Sequence, residues 1–186
     1  MDKKKKNDKQ DILDMYLEYS VDFKNRIIHV GEINSSYVRH WIKAMKWMEA
    51  EDAKKRITFI ISSYGGSVYD GLGLYDMIRT CKCPITTIGN GKVMSMGTFI
   101  MCAGNKKYAH KHTTFMFHEL SGGSYGKYSE MQNDQKENAR LMKMFSGIYS
   151  ENSNKDVKWW KKFLAHTDKF MSTDEVEDMG MLDKVL

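Results

Sequence analysis

The sequence predicts an α/β fold in which parallel β-strands alternate with helices. Three observations carry this. Ile57 to Ile61 (Ile-Thr-Phe-Ile-Ile) is a nearly continuous apolar run, the pattern of a strand covered on both faces. Segments with apolar residues at helical spacing flank it, at Ser36 to Ala50 and at about Val68 to Arg79. The alternation then repeats toward the C-terminus, which implies βαβ units.

The elements follow in order. Asp11 to Tyr19 carries Ile12, Leu13, Tyr16 and Leu17 at helical spacing and reads as a short helix or docking segment. Arg26 to Val30 is β-like and ends at Gly31. The helix over Ser36 to Ala50 places Val38, Ile42 and Met45 on one side. Strand Ile57 to Ile61 runs into Ser62-Ser63-Tyr64-Gly65-Gly66-Ser67. Leu72, Tyr75 and Ile78 share a side of the next helix, which Pro84 ends before the strand Ile85 to Ile88. After Gly91 to Met94, Ser95 to Ala103 reads as a short, apolar, buried helix. Thr113 to Phe117 is a further strand, closed by His118. Gly122, Gly123 and Gly126 form a flexible or extended link to a long polar helix over Tyr128 to Ser150. Val157 to Ala165 and Thr173 to Met179 are shorter helices, the second capped by Ser172 or Thr173 with Asp174 and Glu175 in its first turn.

The bulk numbers bound the function classes. A chain of 186 residues suggests one domain. The net charge of +5 comes partly from Lys3 to Lys6, which reads as a solvated tail. No basic patch with interleaved aromatics points to nucleic acid. No segment is apolar enough to span a bilayer, and no leader pattern is visible. Cys81, Cys83 and Cys102 make no disulfide framework, and Cys81-Lys82-Cys83 lacks a second ligand pair for a metal. Together these readings place the chain in the cytoplasm. Fifteen Met and a single Pro have no functional reading here.

Four features carry chemistry. Ser95 stands between strand-like and helix-like segments in Gly91-Lys92-Val93-Met94-Ser95-Met96-Gly97. Taken alone it fits a helix cap as well as a nucleophile. A helix starting there aims the Met96 N–H and a positive dipole end at a developing oxyanion. Gly65-Gly66 follows a buried strand, so the Gly66 N–H is a second oxyanion donor or part of a simple turn. His118, closing an apolar strand, suits a general base or a structural histidine. Asp168, in His166-Thr167-Asp168-Lys169-Phe170-Met171-Ser172, suits a group that orients an imidazole, or an ordinary loop aspartate. His110 and His112 read as surface residues.

These blocks, taken in order, resemble the Clp protease proteolytic-subunit family, ClpP, over about Arg26 to Leu186. Ser63-Tyr64-Gly65-Gly66-Ser67-Val68 is similar to its Ser-Pro-Gly-Gly-Ser-Val loop. Ser95-Met96-Gly97 is similar to its nucleophile motif, and Met116-Phe117-His118 with Gly122-Gly123 to its histidine motif. Thr167 to Ser172 resembles Arg-Asp-x-Phe-Met-Ser, and Gly180-Met181-Leu182-Asp183 resembles Gly-Leu-Ile-Asp.

The resemblance implies a crotonase/ClpP-type ββα superhelix with a long handle helix, and a division into a basic tail with a docking or pore segment at 1–20 and a peptidase domain at 21–186. It implies a serine endopeptidase with Ser95, His118 and Asp168 as its triad and Gly66 and Met96 as oxyanion donors. Backbone at Gly65, Ser67 and Val68 and at Leu120, Ser121, Gly122 and Gly123 would pair with extended substrate. It further implies stacked heptameric rings joined through Tyr125 to Ser150, polypeptide substrates and an ATPase unfoldase partner. The chain has no Gly-x-x-x-x-Gly-Lys phosphate loop of its own, and the chemistry needs no metal or cofactor. Tyr64 replaces the loop proline, His118-Glu119-Leu120 replaces His-Gln-Pro, and Thr167 replaces an arginine that helps join rings. Two other readings share the fold: a crotonase-type acyl-CoA enzyme and a non-catalytic ring subunit.

Overall fold

Eight strands hydrogen-bond into one sheet in the computed structural model, which describes residues 16–123 and 125–186. The chain runs β1 (Val21–Asp22), β2 (Ile27–Val30), α1 (Ser35–Glu51), β3 (Ile57–Ser63), α2 (Val68–Arg79), β4 (Ile85–Met94), α3 (Met96–Ala103), β5 (Lys106–Ala109), β6 (Thr114–Phe117), α4 (Tyr128–Glu151), α5 (Val157–Leu164), β7 (Lys169–Met171), α6 (Thr173–Asp178) and β8 (Lys184–Val185). The α/β class is the one predicted. The Lys3 to Lys6 run and most of the helix expected over Asp11 to Tyr19 lie outside the described residues; positions 16–19 are helical.

Strands β2, β3, β4, β5 and β8 pair in parallel, in that order, and β1 closes the β2 edge antiparallel. The decisive event for the site is a change of partner along β4. Its first half, Thr86 to Gly89, pairs with β5, whereas Lys92 to Met94 pair with β6. Gly91, at φ +72, provides the left-handed turn in the backbone between the two halves. Strand β4 thus runs on past Ile88 to Met94, and the partner of Lys92 to Met94 on β6 is one that local sequence does not disclose. Strand β6 in turn pairs antiparallel with β7.

Expected coverage of β3 on both faces needs correction. Ile57, Phe59 and Ile61 are buried, while Thr58 and Ile60 between them are half-buried. One face packs on helices and the other is only partly covered. Helix starts obey their caps. The Asn34 side chain accepts from the Ser36 and Tyr37 amides, and the Asp156 side chain accepts from the Trp159 amide. Ser172 and Glu175 form the reciprocal box at the start of α6. Helices α3, α4 and α5 enclose an aromatic core in which Trp160, Tyr149 and Phe117 are almost fully buried. Each such side chain contributes roughly 1.5–3 kcal/mol through removal from water.

Candidate active site

Ser95 sits where β4 meets α3, with φ 51 and ψ −125. A side-chain-bearing residue at positive φ is costly, and such strain concentrates at functional sites. The reading of Ser95 as a helix cap is not met, since its side chain makes no cap hydrogen bond. Its amide donates to the Met116 carbonyl at 2.9 Å, continuing the β4–β6 ladder by one residue. That ladder also delivers His118, two residues beyond Met116. His118 Nε2 lies 2.7 Å from Ser95 Oγ. For the hydroxyl to donate to Nε2, the imidazole proton must reside on Nδ1.

Asp168 arrives by the other ladder. Phe117 pairs with Lys169 in the antiparallel β6–β7 register, so the next pair outward is His118 with Asp168. Asp168 Oδ1 stands 3.8 Å from His118 Nδ1, an ion-pair distance beyond direct hydrogen-bond reach. The aspartate side chain is 57% exposed and that of His118 only 19%. The structure thus joins Ser95 and His118 tightly and Asp168 more loosely.

The glycine pair approaches from β3. The Ile33 amide donates to the Gly65 carbonyl at 2.9 Å, and the Ser67 amide donates to the Ile33 carbonyl at 2.7 Å. This isolated parallel bridge consumes the groups flanking Gly66, so the Gly66 N–H points to the opposite side of the strand. Gly66 and Met96 both line one small cleft with Ser95 and His118. As the first residue of α3, Met96 has an amide with no intrahelical acceptor. Gly65 (φ +107) packs directly on the nucleophile segment: a Cβ there would fall 2.6 Å from Ser95 Cβ.

The cleft has a volume of about 50 Å³. Phe99, Phe145 and Tyr149 line it, and Glu119 is the acidic residue on its wall. Val68, Leu120 and Ser121, expected at the substrate site, line it too, whereas Gly122 and Gly123 lie outside it and are exposed. Ser67 caps α2 through its hydroxyl. Ile33, Thr98 and Tyr149 escaped the sequence reading. Only Thr98, a hydroxyl three residues after Ser95, carried a local signal. Cys81 and Cys102 do not compete as nucleophiles: burial pushes the Cys102 thiol up to about 12 and the Cys81 thiol up to about 11. Among the described residues no cluster of His, Cys, Asp and Glu could hold a metal, and no helix is long and apolar enough to cross a membrane.

A strained serine beside an imidazole, in a cleft that Gly66 and Met96 also line, suits acyl transfer. The family model described as Clp protease matches residues 8–186. The fold, the ordered motifs and this match lead to one conclusion: the chain belongs to the Clp protease family and is a ClpP-like peptidase.

Proposed function

We propose that the chain is a serine endopeptidase in which Ser95, His118 and Asp168 form the triad and the Gly66 and Met96 amides the oxyanion hole. The 2.7 Å contact between His118 Nε2 and Ser95 Oγ carries this reading. Ser95 Oγ attacks the scissile carbonyl carbon as its proton passes to Nε2. The oxyanion settles against the two amides. His118 returns the proton to the departing amine, the C–N bond breaks, and an acyl-enzyme remains. Water, deprotonated by His118, resolves it by the same steps. Asp168 stabilises the imidazolium through the Nδ1 side, and substrate binding would tighten that contact.

The family supports a wider assembly. In this reading heptameric rings stack through α4, enclose a chamber for unfolded polypeptide and receive it from a separate ATPase. Exposed Trp47, Tyr69 and Phe170 suit surfaces that neighbouring subunits cover.

The deciding experiment is labelling of the full chain with a fluorophosphonate probe. We expect a stoichiometric adduct on the peptide bearing Ser95. A folded chain that takes up no probe contradicts the reading and favours a non-catalytic subunit or an acyl-CoA enzyme.

A further inference from the structure

Ser95 holds its unusual backbone only because neighbours fix both of its peptide groups. The β4–β6 ladder holds its amide. Its carbonyl accepts from the Thr98 amide at 3.0 Å and from Thr98 Oγ1 at 2.6 Å. Thr98 Oγ1 also lies 2.6 Å from Tyr149 Oη. A threonine hydroxyl has one proton. With that proton on the Ser95 carbonyl, the second contact requires Tyr149 to donate. The result is a directed chain, Tyr149 O–H to Thr98 O–H to the Ser95 carbonyl. Thr98 and Tyr149 are each 1% exposed, so water does not substitute for a missing partner. Burial raises the phenol of Tyr149 well above its ordinary range and keeps it a donor.

The ring of Tyr149 is held as firmly as its hydroxyl. It stacks on Trp160 at 4.6 Å and 25°, packs against Phe99 at 4.5 Å, and meets Phe117 edge-on at 5.4 Å. Phe117 directly precedes His118. Trp160 belongs to α5, the last helix before Asp168. Tyr149 therefore touches α3, which Ser95 opens, and β6, which leads into His118, and it stands near the C-terminal end of α4.

We infer that Tyr149 is a positioning residue: acting through Thr98, it fixes the Ser95 carbonyl and so keeps Ser95 Oγ on His118 Nε2. The inference rests on the serine-peptidase reading. It makes the last turns of α4 part of the catalytic apparatus, so a displacement of α4 there would be felt at the nucleophile.

The test uses the full chain and a fluorogenic peptide. Tyr149→Phe removes one hydroxyl and keeps the stacked ring. Its kcat and its rate of fluorophosphonate labelling are expected to fall together by about 3- to 10-fold, with KM changed less than about twofold. Thr98→Val should lose at least as much, and Thr98→Ser, which restores the hydroxyl, should recover most of it. The double variant Thr98→Val with Tyr149→Phe should be no slower than Thr98→Val alone, because both sit on one chain of hydrogen bonds. Wild-type kcat and labelling in Tyr149→Phe, or losses that multiply in the double variant, overturn the inference. If Tyr149→Phe does not fold, the Thr98→Val and Thr98→Ser pair decides. A wild-type chain with no Ser95-dependent reaction overturns the peptidase reading as well, so the two failures are distinct.

Discussion

Replacing Ser95 with alanine is expected to lower peptide hydrolysis roughly 10⁴- to 10⁶-fold and to abolish fluorophosphonate labelling, while the chain stays folded. The loss is large because the hydroxyl is the one group in the cleft aligned on the imidazole, at 2.7 Å from His118 Nε2. Without it His118 has no nucleophile to activate, and in the proposed mechanism only the amides of Gly66 and Met96 and substrate binding remain to assist water. Stability should change little. The Ser95 side chain makes no cap hydrogen bond, so α3 loses no cap when the hydroxyl goes. Alanine also keeps the Cβ that packs against Gly65. The strain at φ 51 is common to both residues, since it arises from the Cβ and not from the oxygen. Thermal unfolding beside kcat/KM separates the two effects. Intact hydrolysis by the folded variant would refute the mechanism outright.

Much of this site was legible, but in different currencies. Helix α2 has the predicted bounds, Val68 to Arg79, because its apolar spacing, its cap at Ser67 and the proline at 84 all agree. Strands β5 and β8 were not visible. Lys-Lys-Tyr-Ala and Lys-Val have no periodicity, and they become strands only through backbone pairing with neighbours already in place. Ser95, His118 and Asp168 stood out as residue types in an ordered series of motifs. Their approach to one another is set by register, Met94 opposite Met116 and Phe117 opposite Lys169, which no local pattern encodes. Thr98 and Tyr149 lie 51 positions apart and meet only because α3 packs on α4. Tyr149 read simply as a residue of a long polar helix, since burial of a phenol is decided by tertiary packing. Even the exposed Asp168 carboxylate shows the limit: its place in sequence is clear, but the 3.8 Å gap to the imidazole follows from how far the β6–β7 pair extends past its last hydrogen-bonded residues.

Gly66→Ala is expected to damage both catalysis and stability, in a ratio that tests the oxyanion assignment. A Cβ at this position would lie 2.1 Å from the Ile33 carbonyl oxygen, far inside contact distance, and the backbone stands at φ +145. The Ile33 carbonyl cannot simply yield, since it accepts the Ser67 amide at 2.7 Å and so holds the start of α2. The strand must move away from Ile33, and the Gly66 N–H moves with it. Loss of one oxyanion donor costs about 10²- to 10³-fold in kcat, and the strained backbone should lower the melting temperature measurably. Gly73→Ala is the matched control. Gly73 is a helical position with open space around it, where alanine should stabilise by about 0.5–1 kcal/mol and leave kcat unaltered. If Gly66→Ala only lowered the melting temperature, with kcat preserved well below it, the strand would be a structural clamp and the Gly66 amide no oxyanion donor. If kcat falls at temperatures where the variant is fully folded, the donor and the clamp are the same stretch of backbone. The close approach to Ile33 would then explain why glycine is needed beside a nucleophile it does not touch through any side chain.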